Sequence, residues 1–141
     1  MAGRLTGGHV QTLHLPGSGW ILQWRSDGFW RDLNSAQHRA ELDGSHVPAE
    51  DEWVRWSGTY HQQARGGGRD TMPAWWLLYG ELPGGTVPSV VLDDGRRPAV
   101  LTVGKVWASE WLSVPQTATL HLDGGQFLFP FTEPPSRGFI T

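Results

Sequence analysis

The side chains able to do chemistry in this chain are scattered, and their spacing says more than their number. Six histidines lie at 9, 14, 38, 46, 61 and 121. A helical zinc site would set two of them four residues apart or bracket a glutamate as His-Glu-x-x-His, and neither spacing occurs. His9 and His14 are five apart, so a regular strand sends them to opposite faces. No cysteine is present to serve as thiolate ligand or nucleophile. Asp43, Ser45 and His46 fall within one turn, too close in sequence for a relay, and no Gly-x-Ser-x-Gly elbow exists. The expectation is no metal, no cofactor and no assigned catalytic residue.

Two further groupings carry charge. Asp93 and Asp94 lack the alternating oxygen ligands and distant glutamate of a calcium loop, and with Gly95 they read as a turn that sets Asp93 opposite Arg96. Arg65-Gly-Gly-Gly-Arg69-Asp70 lacks the order of a phosphate-binding P-loop, yet two guanidinium groups on a glycine-rich loop suit the clamping of an anion or carboxylate. In an enzyme reading, His61, His121 and Asp70 are the acid–base candidates. They lie on polar strand faces or beside that loop.

Tryptophan is the stronger signal, with nine in 141 residues. Indoles are large, amphipathic and seldom wholly buried, so nine in one small domain imply that some line a surface that meets a ligand or partner. Trp20, Trp24 and Trp75 are expected in the core. Trp53, Trp56, Trp76, Trp107 and Trp111 are the candidates for binding, together with His61, His121, Arg65 and Arg69.

The elements that position these residues are short. Nineteen glycines and ten prolines divide the chain into apolar runs punctuated by turns, which points to an all-β, mainly antiparallel sandwich or barrel of about 8–10 strands. Strands are expected over 9–15, 20–25, 29–33 and 53–62, with 64–71 as a loop. The hairpin at Ser26-Asp27-Gly28 admits two registers, one pairing Leu22 with Leu33 and the other Trp24 with Trp30. A short helix is expected over 34–42, capped by Asn34 or Ser35 and stopped by Asp43-Gly44, with a helical turn over 48–52. Segment 105–114 fits either a strand or a helix.

Turns at Pro83-Gly84 and Asp94-Gly95 predict a three-stranded meander whose main stripe runs Trp75, Leu77, Tyr79, Pro88, Val90, Leu92, Ala99, Leu101, Val103. Its other face, with Trp76, Leu78, Val87, Val91 and Val100, is too apolar to stay wet, so a helix, a second subunit or an apolar ligand must cover it. A last hairpin turning at Gly124-Gly125 sets Leu122 opposite Phe127 and Leu120 opposite Phe129. Pro130 marks an edge strand, and 133–141 reads as a loose tail.

Composition sets the outer bounds. One domain over 1–141 suffices for this length. A net charge of −3 without a basic block argues against nucleic-acid binding. No run reaches the length of a membrane span, the first residues lack the apolar core of a leader, and the absence of cysteine fits a cytoplasmic protein. The favoured expectation is a non-catalytic tryptophan-rich β domain binding a small apolar, aromatic or sugar ligand or a protein partner. The alternatives are a small β-barrel enzyme acting on a hydrophobic molecule and a structural subunit of a homo-oligomer.

Overall fold

The computed structural model describes residues 9–58, 73–84 and 86–131, together with the backbone of 62–66. Eleven strands among them form three antiparallel sheets. The first sheet has the order β1-β2-β3-β4, from β1 (Val10–His14), β2 (Ile21–Arg25), β3 (Phe29–Leu33) and β4 (Val54–Arg55). The second has the order β5-β6-β9-β8, from β5 (Gln62–Gly66), β6 (Ala74–Glu81), β8 (Leu101–Val103) and β9 (Val106–Ser113). The third has the order β11-β10-β7, from β7 (Ser89–Leu92), β10 (Thr117–Leu122) and β11 (Gly125–Pro130). The fold is all-β and sandwich-like, and none of these sheets closes into a barrel among the described residues.

The second sheet is the central layer. Side chains alternate along its strands, so β6 and β9 present Trp76, Leu78, Trp107 and Trp111 to one side and Leu77, Tyr79, Val106 and Ala108 to the other. The first set packs with Val90, Leu92, Ala118, Leu120 and Leu122 of the third sheet. The second set packs with Leu22 and Trp30 of the first sheet. A strand buried on both faces reads as a continuous apolar run, which is what residues 74–79 show.

This layering corrects the expected meander. β6 pairs with β5 and β9, with Ala74 to Glu81 running opposite Ser113 to Val106, whereas β7 pairs with β10 through Leu92 opposite Ala118. The segment after Pro83 therefore crosses between sheets instead of turning back. The expected ladder places Pro88 in mid-strand with no N–H to donate, whereas β9 offers β6 an uninterrupted eight-residue partner. The predicted stripe is accordingly split: Leu77, Tyr79 and Val103 lie in one core, Val90 and Leu92 in the other, and Ala99 is exposed. The Asp94-Gly95 turn itself forms, with Gly95 at φ +91° and the Leu92 N–H donating to Arg96 O at 2.9 Å, but no ladder continues over 96–100.

The other hairpins depend on loop length. Ser26-Asp27-Gly28 is a three-residue loop, so Trp24 pairs with Trp30. In the last hairpin the loop is Asp123-Gly124, with φ of +53° and +78°, the pattern that favours Asp-Gly in a type I′ turn. The register moves by two from the expected one, to Leu120 opposite Phe127, and a shift of two keeps every side chain on its expected face. Of the expected strand over 53–62, the described residues 53–58 hold only β4, Gln62 opens β5, and 59–61 lie outside the described residues. Conversely Ala64 to Gly66, read as loop, belong to β5 because pairing with Leu78 to Trp76 outweighs weak local propensity. Segment 105–114 is resolved as the strand β9.

One helix, α1 (Ser35–Leu42), follows the first hairpin as expected. Asn34 caps it, accepting from Gln37 N at 2.8 Å while the Gln37 side chain accepts from Asn34 N at 2.8 Å. A 3-10 turn covers Glu50–Glu52. Neither buries a residue. They lie instead over a polar layer on the outer face of the first sheet, where Gln23, Arg25 and Arg31 are buried. Arg31 bonds Gln23 Oε1 at 2.8 Å and forms a two-pronged pair with Glu41, and Arg25 holds Asp27 and Glu50, each at 2.7 Å. The Asp27 and Glu50 carboxylates raise the Arg25 pKa further, and the Arg25 bond holds Asp27 below the usual carboxylate range.

Candidate ligand-binding site at Trp56

The site is built from a buried acid. Glu81 ends β6 on the face shared with Tyr79 and Leu77 and is 1% exposed. Its carboxylate accepts from Trp30 Nε1 at 2.8 Å, Ser57 N at 3.1 Å, Ser57 Oγ at 3.0 Å and Gly58 N at 3.0 Å. A carboxylate taken from water needs such donors, and here two of the four are backbone N–H groups of the loop that follows β4. Glu81 thereby fastens that loop to the central sheet. The Trp56 N–H donates to Gly28 O at 2.9 Å, tying the same loop to the first hairpin.

Trp56 is thus held from both sides, with its ring half-buried. Gly58 has φ +77°, and a Cβ there would stand 3.0 Å from Trp56 Cη2, so a side chain at this position would be strained and would press on the indole. Above the ring lies Lys105 Nζ, 4.8 Å from its centroid. Lys105 sits in the tight β8–β9 turn beside Gly104, whose φ is +55° and whose Cβ would overlap Trp24 Cγ at 2.0 Å. The Leu82 N–H donates to Lys105 O at 2.9 Å and closes the corner.

Between these groups is a groove of about 470 Å³, lined by Trp56, Leu82, Pro83, Val87, Thr102 and Lys105. It combines an indole, an apolar wall, one hydroxyl and one ammonium. Those groups can stack on a ring, desolvate an apolar body and hold an anionic or hydrogen-bond-accepting end. They offer no acid–base pair, and among the described lining residues no histidine or carboxylate is found. Comparison with protein-family models, curated proteins and solved structures finds no match.

The remaining candidates go elsewhere. Trp76 and Trp107 are wholly buried and Trp111 is 4% exposed, all in the core between the central and third sheets. The Trp76 indole donates to Ser113 O at 2.8 Å, and Phe131 meets it edge-on at 5.4 Å. The apolar second face is therefore covered by this chain's own β7, β10 and β11, and no partner or ligand is required for that purpose. Trp53 is half-buried and stacks on Arg25 and Arg31, at 4.9 and 4.5 Å. Trp75, expected in the core, is half-buried against Gly17, where a Cβ would lie 2.3 Å from the ring.

His121 is exposed on β10, opposite Gln126 and Ser89. His61, Arg69 and Asp70 lie outside the described residues, and of Arg65 only the backbone, opposite Leu77, is described. The expected Asp93–Arg96 pair is replaced by Asp94–Arg96 at 3.0 Å, because Asp93 accepts from Thr117 N at 3.3 Å. A second, shallower cleft of about 490 Å³ lies among Trp75, Arg96, Arg97, Glu110 and Trp111. Its acid is already engaged, since Glu110 accepts from Gly17 N at 2.7 Å and Ser18 N at 2.8 Å.

Glu81 and Lys105 were absent from the sequence-based candidates. Glu81 carries a readable signal, an acid at the inward parity of Leu77 and Tyr79 at the end of an apolar run. Lys105 is the sole lysine, but nothing local places it over Trp56.

Proposed function

We propose that this chain is a non-catalytic β domain that takes a small amphipathic molecule in the Trp56 groove. The ligand's apolar or aromatic body packs against Leu82, Val87 and the side of Trp56 that borders the groove, and a carboxylate or other acceptor faces the Lys105 ammonium over the indole. The observation that carries this reading is the fixing of the loop that bears a half-buried, groove-lining indole by a buried acid, Glu81, through Ser57 and Gly58. An aromatic wall beside one convergent polar group is the usual make-up of a small-ligand pocket. The groups present favour aromatic or apolar carboxylates over neutral sugars, because among the described lining residues Thr102 alone offers a side-chain hydroxyl.

Titration of tryptophan emission with aromatic carboxylates, fatty acids and neutral sugars tests the reading. The acids are expected to shift or quench the emission, with affinity reduced at least ~10-fold by Trp56→Ala and by Lys105→Ala. A response that survives both substitutions, or none from any ligand class, overturns it. The enzyme alternative rests on His61, His121 and Asp70, of which only His121 is described. The assembly alternative has lost the uncovered sheet face that suggested it. No helix among the described residues is long and apolar enough to cross a membrane.

A further inference from the structure

We propose that Glu41, His46 and Glu52 form a site for one divalent transition-metal ion, separate from the Trp56 groove and independent of its reading. The three residues come from the end of α1, the loop after it and the 3-10 turn, and one ligand atom of each lies within 4.8 Å of the others. His46 Nε2 already stands 3.1 Å from Glu52 Oε2. The loop is folded so as to bring His46 back over the helix. Ser45 N donates to Asp43 Oδ1 at 2.8 Å, and both Ser45 Oγ and His46 N donate to Ala40 O, at 3.2 and 3.1 Å. Ala49 N holds Glu52 Oε2 at 3.1 Å.

Charge favours a cation. Residues 41–52 hold five acids and neither lysine nor arginine. Arg31 is the guanidinium that reaches in, paired with Glu41 and 3.6 Å from Glu52. With His46 neutral, those two glutamates and Arg31 sum to −1. Arg31 does not exhaust the carboxylates, since each has about four lone-pair directions and ligating carboxylates are commonly oriented by a hydrogen-bonding neighbour. Here Arg31 is that neighbour, itself fixed by Gln23 and the Trp53 ring.

One imidazole and two carboxylates suit zinc, manganese, cobalt or nickel, and three protein ligands leave a position for water. Metal–ligand bonds of about 2.1 Å require the donor atoms to draw in by roughly 1 Å. The side chains of Glu52 and His46, 36% and 49% exposed, have room to do so. A separate observation points the same way. α1 and the 3-10 turn bury no residue and are fastened mainly by polar contacts, besides the edge-on His14–His38 rings, and an ion joining three segments supplies a cross-link that the apolar cores do not.

The test is calorimetric titration of metal-stripped full-length protein with ZnCl2, paired with thermal unfolding. The wild type is expected to bind one equivalent with a Kd of about 10 μM or tighter and to melt at a higher temperature with zinc. His46→Ala should keep the metal-free melting temperature, since its exposed ring meets only Glu52, but bind at least ~10-fold more weakly and lose the zinc-dependent rise. His38→Ala, which removes a histidine elsewhere on α1, should retain both. Equal binding by His46→Ala and wild type, loss of binding in His38→Ala alone, or no uptake by wild type at ~100 μM zinc each overturns the site.

Discussion

Replacing Glu81 by glutamine tests whether a buried carboxylate organises the Trp56 loop, and its cost can be worked from four distances. The Oε1 atom accepts from Ser57 N, Ser57 Oγ and Gly58 N at 3.0–3.1 Å, and Oε2 accepts from Trp30 Nε1 at 2.8 Å. The best amide orientation keeps oxygen at the threefold position and turns its NH2 toward the Trp30 N–H, so two donors oppose each other. That opposition costs ~1–3 kcal/mol, and the three retained bonds lose charge assistance worth roughly 1 kcal/mol each. Relief from burying an ion returns several kcal/mol, leaving a net destabilisation of about 2 kcal/mol. In urea unfolding this lowers the midpoint by roughly 1 M, followed by both tryptophan emission and far-UV circular dichroism. Glu81→Ala, which strips all four bonds, should cost about 3–5 kcal/mol. A Glu81→Gln midpoint within ~0.2 M of wild type refutes the assignment of Glu81 as the loop's anchor.

Two other predictions follow from pairs that differ in one feature. Trp76 and Trp107 are both wholly buried in the same core, but Trp76 Nε1 donates to Ser113 O whereas Trp107 Nε1 has no partner among the described residues. Trp76→Phe should therefore be more destabilising than Trp107→Phe by ~1–2 kcal/mol in chemical denaturation, and equal costs refute the distinction. Asp27 has its pKa lowered chiefly by its bond to Arg25, so its stabilisation is complete above its ordinary pKa and is lost as pH falls through the lower, folded value. Asp27→Asn should be less stable than wild type near neutrality by only ~0.2–1 kcal/mol, since Asp27 is partly exposed, and the gap should close in acid. A gap that stays constant on acidification contradicts this.

What the sequence reveals here is local and periodic, and what it conceals is long-range. The Asn34 cap, the Asp94-Gly95 turn and the alternation of β10 all depend on residues within a few positions of each other, and all are legible, whereas the last hairpin turns at Asp123-Gly124 and not at the expected Gly124-Gly125. Strand partnership is not. Residues 74–79 are apolar on both faces, which rightly announces a covered sheet, but the same pattern pairs equally well with any strand of suitable length. The cover proved to be Val90, Leu92 and Leu120 of the same chain. Parity correctly separated Trp75 from Trp76, yet it could not say which side is deeper. Gly17, 58 residues away in sequence, sets Trp75 at the surface by leaving room for its ring. Glu81 was overlooked because its donors arrive from Trp30 and from the loop after β4, and neither is visible as a spacing.

The tryptophan excess becomes intelligible once the central sheet is recognised as two-sided. Trp76, Trp107 and Trp111 fill one core and Trp30 the other, where large rings close two thin interfaces with few residues. The half-buried indoles have tasks of their own. Trp20 Nε1 donates to Asp32 at 3.2 Å, Trp24 packs on Gly104, Trp53 covers Arg25 and Arg31, and Trp75 covers Gly17. Trp56 is treated differently: its backbone is tied at both ends, the chain passes beneath it at a positive-φ glycine, and its ring borders a more enclosed cleft than the one at Trp75 and Trp111. Its ring also packs on the core that holds Trp30 and lies under the Lys105 ammonium. The burial of a carboxylate to fix this loop, in addition to the packing of Trp56 on the core that holds Trp30, is therefore the physical reason for proposing a ligand at Trp56.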